Sequence, residues 1–195
     1  MESLLIFVNN PWYNSVMKIV QAPDPVLSQV ATKIEKIDKD ILQLIADMKT
    51  TLLSARDPEG IGLAAPQVGK SVQLFIIKQS PKAPFSIYIN PVLKLSGQLS
   101  VSEMKKKHSK LEGCLSLQDI WGTVKRSPAT SISYLDEKGK KHTRTYTGFF
   151  ATILQHEYDH LQGILFPKRV LEQQGKLYKS KIDEKGEVVF DPLEL

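Results

Sequence analysis

Two kinds of hydrophobic pattern predict an α+β fold, in which antiparallel strands pack around a buried helix. Short runs rich in β-branched and aromatic residues occur in the middle of the chain, at residues 72–77, 86–89, 130–135 and 143–146. An apolar run with helical spacing follows at residues 149–162. Grouped strands followed by a helix favour segregated strands and helices over a parallel α/β sheet.

Capping residues and apolar spacing predict two earlier helices. Asp24 and Pro25 predict a short helix that begins at Pro25 and has Asp24 as its N-cap. Residues 38–55 carry apolar side chains at positions 41, 44, 45, 48, 52 and 53, which is the spacing of a helix with one buried face. The Pro-Glu-Gly-Ile-Gly run at residues 58–62 breaks this helix and begins a loop.

Turn residues set the expected ends of the later elements. Asn90 and Pro91 are predicted to end the strand at residues 86–89. The glycine-containing segment 136–140 is predicted to join its two flanking strands into a hairpin. Gly163 is a natural C-terminal stop for the helix at residues 149–162. Residues 187–190 are predicted to form a last strand.

Composition excludes several classes of protein. The 195-residue chain is 42% apolar and 24% charged, as in soluble globular proteins, which excludes disordered and fibrous classes. The net charge of +5 is too small an excess to establish nucleic-acid binding. No apolar run has the length of a membrane span, so no membrane partner is expected. The first 16 residues lack Lys and Arg and do not fit a signal or transit peptide, so the expected location is cytoplasmic.

The predicted helix at residues 149–162 contains a His-Glu-x-x-His motif. His156 and His160 are four residues apart, so both imidazoles lie on one helix face and can meet one metal ion. Glu157 lies at the edge of that site, where it can accept a proton from water without occupying a ligand position. The alternative is a pair of solvated histidines. The apolar residues on both sides of the motif favour a buried helix, in which each histidine needs a partner.

Two histidines do not complete a catalytic metal site, which usually has three protein ligands and an open position. No histidine follows His160. Glu172 is one candidate for the third ligand, as in one class of metallopeptidase. Cys114, the single cysteine, is the other, and its alternatives are a buried small side chain or a nucleophile. These residues alone leave both candidates open.

The sequence resembles the peptide deformylase family in three motifs that occur in the expected order. The first is Gly-Ile-Gly-Leu-Ala-Ala-Pro-Gln at residues 60–67, the second Glu-Gly-Cys-Leu-Ser at 112–116, and the third Gln-His-Glu-Tyr-Asp-His-Leu at 155–161. The resemblance runs from about Met17 to about Phe166. It implies one catalytic domain at residues 17–195, preceded by an N-terminal extension at residues 1–16.

The resemblance implies a metal-dependent hydrolase that acts in protein biosynthesis. Its substrate is the N-terminal formyl-methionine of newly made polypeptides, from which it releases formate. The implied metal ligands are Cys114, His156 and His160. The implied cofactor is one divalent ion, usually Fe²⁺ in this family, with Zn²⁺, Ni²⁺ or Co²⁺ as other occupants. Glu157 is implied as general base and then general acid, and Gln67 and the backbone N–H of Leu115 as donors to the developing oxyanion.

Further residues are expected to border this centre. Ile61, Gly62, Leu63 and Ile153 are expected to line an apolar pocket for the methionine side chain. Arg126 is expected to pair with Glu112 or Asp159 and so to hold the ligands in place. Each group has an ordinary alternative, which is core packing for the apolar residues, a surface position for Gln67, and a surface charge for Arg126.

Some features depart from the family pattern. Gln118 stands where the family often has proline, and residues 93–110 are long and rich in lysine. Gly186 and Pro192 favour a strand at the end of the chain, where some bacterial members have a basic helix thought to dock on the ribosome. Ribosome docking by that route is therefore not expected. A non-catalytic peptide-binding module is a further alternative, although all the implied catalytic groups are present.

Overall fold

The computed structural model of the protein describes residues 15–55, 60–96 and 111–194. Within these ranges, five strands form one sheet in the order β1-β2-β3-β6-β7, and four form a second in the order β4-β5-β8-β9. The strands of the first sheet are β1 (Gly62–Ala64), β2 (Leu74–Ile77), β3 (Ser86–Ser96), β6 (Ala129–Leu135) and β7 (Lys141–Thr147). Those of the second are β4 (Leu111–Cys114), β5 (Leu117–Thr123), β8 (Leu177–Ile182) and β9 (Val188–Pro192). All neighbouring strands pair antiparallel, which confirms the predicted fold class.

The helices before the sheets begin where capping residues predict. The Asp24 carboxylate accepts a hydrogen bond from the Val26 N–H, at the start of a short 3-10 helix, Pro25–Ser28. Helix α1 (Lys39–Ser54) begins after Asp38, whose carboxylate accepts from the backbone N–H groups of residues 40 and 41. Both interactions satisfy N–H groups that have no partner inside the helix. The two N-terminal helix predictions are therefore confirmed.

Helix α2 (Gly148–Leu161) packs against the five-stranded sheet and carries the His-Glu-x-x-His motif. Its side chains Ala151, Leu154 and Leu161 are fully buried, and Leu154 and Leu161 belong to one apolar cluster with the five-stranded sheet. Gly163 adopts φ +67 directly after the helix, a left-handed conformation that suits glycine and ends the helix as predicted. A second short helix, α3 (Phe166–Glu172), follows and packs on the second sheet. The sequence patterns did not predict α3.

The predicted end of β3 at Asn90 and Pro91 is wrong. The strand continues to Ser96 through a register shift between Ile89 and Val92, and Asn90 at that shift adopts φ +48. Proline has no N–H for the ladder, so in a sheet it is confined to edges and irregularities of this kind. The bulge lets β3 continue along β6 beyond the point where its pairing with β2 ends.

The remaining strands divide into predicted and unpredicted ones. The β6–β7 hairpin forms around residues 136–140 as expected, and β8 and β9 form a hairpin at the end of the chain where a strand was expected instead of a helix. Strands β1, β4 and β5 were not predicted, because each is short or mixes apolar and polar residues without clear alternation.

The lysine-rich stretch at 105–108 and nearly all of the proposed extension at 1–16 lie outside the described residues.

None of the helices in the described parts of the chain has the length and apolar character needed to cross a membrane.

A core substitution on α1 tests the packing of this helix against the first sheet. Met48 is fully buried there among apolar side chains of β1, β2 and β3. We expect Met48→Ala to lower the free energy of unfolding by about 2–5 kcal/mol, because it removes buried surface and leaves a cavity. Leu53→Ala on the same helix is the matched control, since Leu53 is 59% exposed. Urea unfolding of both variants measures the difference, and equal losses would contradict this packing.

Candidate metal centre

Three side chains with metal-binding atoms meet between β4 and α2. Cys114 ends β4, and His156 and His160 lie one turn apart on α2. One ligand atom from each of the three lies within 4.8 Å of the others, and Cys114 Sγ is 3.3 Å from His160 Nε2. Cys114 and His160 are buried, so a cation held here would be shielded from bulk water. The sequence places the two histidines together, whereas only the folded chain brings Cys114 to them.

The surroundings shift the pKa values of the two histidines in opposite directions. Burial lowers the pKa of His160 well below its usual range, which keeps the ring neutral and its lone pair available. Burial also disfavours the charged form of His156, but its hydrogen bonds with Cys114 and Glu112 outweigh this and raise the pKa. The Nδ1 atom of His156 lies 3.1 Å from Glu112 Oε2, which leaves Nε2 for the centre. A divalent cation among a thiolate and two imidazoles matches known donor sets.

Glu157 places a buried carboxylate beside these ligands. It is 4% exposed, and its Oε2 has no hydrogen-bond partner among the described residues. Burial raises the pKa of Glu157 to about 7, because the charged form is poorly solvated. Gly62 on β1 makes room for this side chain, since a Cβ at that position would overlap the carboxylate. The Glu157 side chain therefore leaves no room for a residue larger than glycine at position 62 of the first motif.

Gln67 is buried in the site and is not a surface glutamine. Its Oε1 accepts a hydrogen bond of 2.9 Å from the Ala64 N–H, which fixes the orientation of the amide. Its Nε2 then lies 3.4 Å from Cys114 Sγ and 3.3 Å from Ser116 Oγ. The amide N–H groups therefore face the ligand cluster. Leu115, the residue after Cys114, lines the same cavity.

Arg126 lies behind the ligands and joins the two elements that carry them. Its Nε and Nη2 donate to the two carboxylate oxygens of Glu112, both at 2.9 Å, and its Nη1 donates to Asp159 Oδ2 at 2.6 Å. The sequence suggested one partner or the other, and the structure contains both. Burial alone would raise the pKa of Glu112, but the hydrogen bonds from His156 and Arg126 lower it to about 2. Glu112 is therefore ionised when it contacts His156.

Arg169 on α3 is a further member of this network that the sequence did not indicate. Its Nη2 and Nε donate to the Asp159 carboxylate at 2.7 and 3.1 Å. Its Nη1 donates to Glu172 at 3.1 Å, and the Glu172 side chain is 46% exposed. Glu172 therefore points to Arg169 and is not part of the ligand cluster, which removes the geometric basis of the metallopeptidase alternative. No sequence signal could have found Arg169, because α3 itself was not predicted.

A cavity of about 320 Å³ opens beside the ligands. Ile61, Gly62 and Ile153 line it, as do Glu157 and Gln67. Leu63 does not, because its side chain is fully buried in the apolar core, so the expectation for Leu63 is wrong. The lining residues that the sequence did not indicate are Leu111, Trp121, Phe149 and Thr152. Most of this wall is apolar, while the reactive groups lie together at one side of the cavity.

The family model for polypeptide deformylases matches residues 16–176, which include all of these residues. The chain belongs to the polypeptide deformylase family. It is 35% identical over 182 residues to a peptide deformylase of Christiangramia forsetii, covering 86% of this chain and 88% of the relative. The resemblance noted in the three sequence motifs is thereby confirmed.

Solved deformylase structures share the fold. A peptide deformylase of Synechococcus elongatus in complex with actinonin matches with a TM-score of 0.69 and 36% identity, over 78% of each chain. A Met-Ala-Ser-bound class I type b deformylase of Acinetobacter baumannii matches with a TM-score of 0.68 and 30% identity, over 80% of this chain and 99% of that one. The first of these proteins is in complex with actinonin, and the second is bound to Met-Ala-Ser. The match therefore covers nearly all of the Acinetobacter baumannii deformylase chain.

Removing the arginine of this deformylase centre tests the buried network. We expect Arg126→Ala to destabilise the fold by about 3–5 kcal/mol, because it leaves two buried carboxylates without their shared cation. We also expect faster metal loss, since Glu112 then no longer holds His156 firmly. Chelator competition and urea unfolding measure the two effects. Arg144→Ala, at an exposed position on β7, is the control, and unchanged metal retention in Arg126→Ala would remove the proposed role.

Proposed function

We propose that Cys114, His156 and His160 hold one divalent metal ion, and that this centre removes the formyl group from the N-terminal formyl-methionine of newly made polypeptides. Membership of the deformylase family gives the reaction, which is hydrolysis of an N-terminal formyl amide. The observation that supports the assignment to these residues is the convergence of three ligand atoms within 4.8 Å, next to a buried carboxylate without a partner.

The donor set is suited to several divalent ions. When bound, such an ion supplies Lewis acidity, which lowers the pKa of water from about 15.7 to roughly 7 and polarises a carbonyl oxygen. A thiolate with two imidazoles accommodates Fe²⁺, Zn²⁺, Ni²⁺ or Co²⁺. We propose Fe²⁺ as the physiological occupant, since it is the usual ion of the family that the three motifs resemble.

Glu157 is the group proposed to move the proton. Hydrolysis needs a base that takes a proton from water as oxygen adds to the formyl carbon, and an acid that returns it to the nitrogen as the C–N bond breaks. A carboxyl with a pKa of about 7 exchanges a proton readily in both directions near neutral pH. Its buried, unpartnered Oε2 leaves an oxygen free to contact the water. The products are formate and a free N-terminal amine.

Gln67 and the backbone N–H of Leu115 are the proposed oxyanion donors. Addition of oxygen to the formyl carbon places a negative charge on the former carbonyl oxygen, and fixed donors stabilise that charge without reorganising. Removing one such donor typically costs about 10²–10³ in rate. The hydrogen bond from Ala64 to Gln67 Oε1 holds the amide so that its N–H groups face the centre. The Nε2 atom of the same amide donates to Cys114 Sγ and Ser116 Oγ.

The cavity is proposed to bind the methionine side chain and the peptide that follows it. Ile61, Gly62 and Ile153 border the cavity next to Glu157, and an unbranched thioether side chain suits an apolar wall of this kind. The Met-Ala-Ser peptide bound to the Acinetobacter baumannii enzyme begins with the same residue.

We propose the cytoplasm as the location and nascent chains as partners. The last described elements of the chain are the strands β8 and β9.

Formate release is the direct test of the proposed function. We expect the protein loaded anaerobically with Fe²⁺, Ni²⁺ or Co²⁺ to release formate from formyl-Met-Ala. The Glu157→Ala variant should keep its metal and lose about 10²–10⁴-fold in kcat, since general acid–base catalysis typically contributes that much. A coupled formate dehydrogenase assay measures both proteins. Peptide binding without turnover in the native protein, with all three metals, would support a binding module and overturn the proposal.

A pair of substitutions distinguishes the deformylase centre from the metallopeptidase alternative. We expect Cys114→Ser to lose most of its bound metal, because a neutral hydroxyl replaces a thiolate ligand. We expect Glu172→Gln to keep its metal, because Glu172 contacts Arg169 and not the cluster. Metal analysis after dialysis gives both values. Metal loss in Glu172→Gln with retention in Cys114→Ser would instead favour the peptidase.

A further inference from the structure

The C-terminal hairpin β8–β9 lies beyond the segment that matches the family model. That match ends at residue 176, whereas β8 begins at Leu177. The hairpin is nevertheless an integral part of the second sheet, because β8 pairs with β5 through three consecutive positions. One of these is Trp121, which pairs with Tyr178. Residues beyond the segment that matches the family model therefore contact a strand close to the metal centre.

Two hairpin side chains hold the Trp121 indole in place. Its Nε1 donates a hydrogen bond of 3.1 Å to Ser180 Oγ on β8. Its ring meets the Phe190 ring on β9 edge-on, with centroids 5.6 Å apart and an interplanar angle of 82°. Ser180 and Phe190 are directly paired across the hairpin, so they form one two-residue support. Trp121 is only partly buried, and the deep core of the protein does not fix its position.

The other side of the same indole forms a wall of the substrate cavity. Trp121 pairs with Gly113 on β4, directly before the metal ligand Cys114. A Cβ on Gly113 would lie 2.8 Å from the indole Cζ3, so the ring rests against the bare backbone there. Trp121 and Gly113 both line the cavity, as does Ile153 of α2. The strand β4, which carries Gly113, is the edge strand of its sheet.

We infer that the β8–β9 hairpin positions Trp121 as an apolar wall of the cavity and thereby selects peptides with apolar side chains after the N-terminal methionine. This inference rests on the proposed function and adds a determinant of specificity to it. Within the described part of the chain, the indole N–H of Trp121 donates to Ser180 and not to the ligands, Glu157, Gln67 or Arg126. Its effect is therefore on peptide binding, and Ser180 and Phe190 are positioning residues that act through it.

Kinetics on two peptides test this role. The native enzyme should process formyl-Met-Leu-Leu with a lower KM than formyl-Met-Ser-Ser. Ser180→Ala and Phe190→Ala should reduce that preference by about three- to tenfold, the range that one edge-to-face aromatic contact covers. The change should appear in KM, with kcat within about twofold of native, whereas a general loss of stability would lower kcat as well. Phe190→Tyr should restore the preference, because it keeps the ring.

Ile182→Ala is the matched control on the same hairpin, since Ile182 is 74% exposed near the hairpin turn. It should leave the preference between the two peptides at the native value. Equal loss of preference in Ile182→Ala and Phe190→Ala would show a general effect of the hairpin and overturn the positioning role. Native KM values in Ser180→Ala and Phe190→Ala would overturn it too, while formate release would still support the proposed function.

Tryptophan fluorescence tests the same inference without turnover. The chain has two tryptophans, so a Trp12→Phe background leaves Trp121 as the single reporter. Titration with the product peptide Met-Leu-Leu should change its emission saturably, and Phe190→Ala should weaken the binding by the same factor as it raises KM. An emission that stays constant at saturating peptide would overturn the inference. This readout remains informative if no formate is released, so a failure of the proposed function is distinguishable from a failure of the specificity role.

Discussion

The contact of Arg126 with Glu112 and Asp159 is the interaction on which the metal centre depends. Glu112 lies on β4, two residues before the cysteine ligand, and Asp159 lies on α2, directly before the second histidine. One guanidinium therefore ties together the strand and the helix that carry the three proposed ligands. Its planar shape allows a two-point contact with one carboxylate and a third hydrogen bond to the other, which an ammonium group could not provide in the same geometry.

Charge balance explains why this buried network is tolerated. Two carboxylates and two arginines meet beneath the centre, because Arg169 contacts the remaining oxygen of Asp159. Unpaired, each buried charge would cost several kcal/mol, whereas paired and hydrogen-bonded charges largely offset that cost. The ionised Glu112 also accepts a hydrogen bond from Nδ1 of His156 and so directs the opposite nitrogen to the ligand cluster. The network thus sets both the positions and the protonation of the centre.

The cavity is built differently on its two sides. On one side, Ile153 of α2 and Ile61 stand against the apolar core of the five-stranded sheet, so that wall is rigid. On the other side, Trp121 is held by a hairpin that faces solvent, with Phe190 39% exposed. Close packing makes changes costly in the first wall, whereas the second can vary without disturbing the core. Core packing therefore constrains Ile61 and Ile153 more than it constrains the hairpin that supports Trp121.

The sequence by itself determined the features that depend on nearest neighbours along the chain. Helical spacing placed His156 and His160 on one face and predicted α1, and local turn residues predicted the β6–β7 hairpin and the strand at the end of the chain. Only the tertiary structure decided which side chain joins the histidines, and it brought Cys114 to them while turning Glu172 towards Arg169. Trp121 and the course of β3 past Pro91 were likewise decided there, because strand pairing and register join residues far apart in sequence, and no local pattern records which strands will meet.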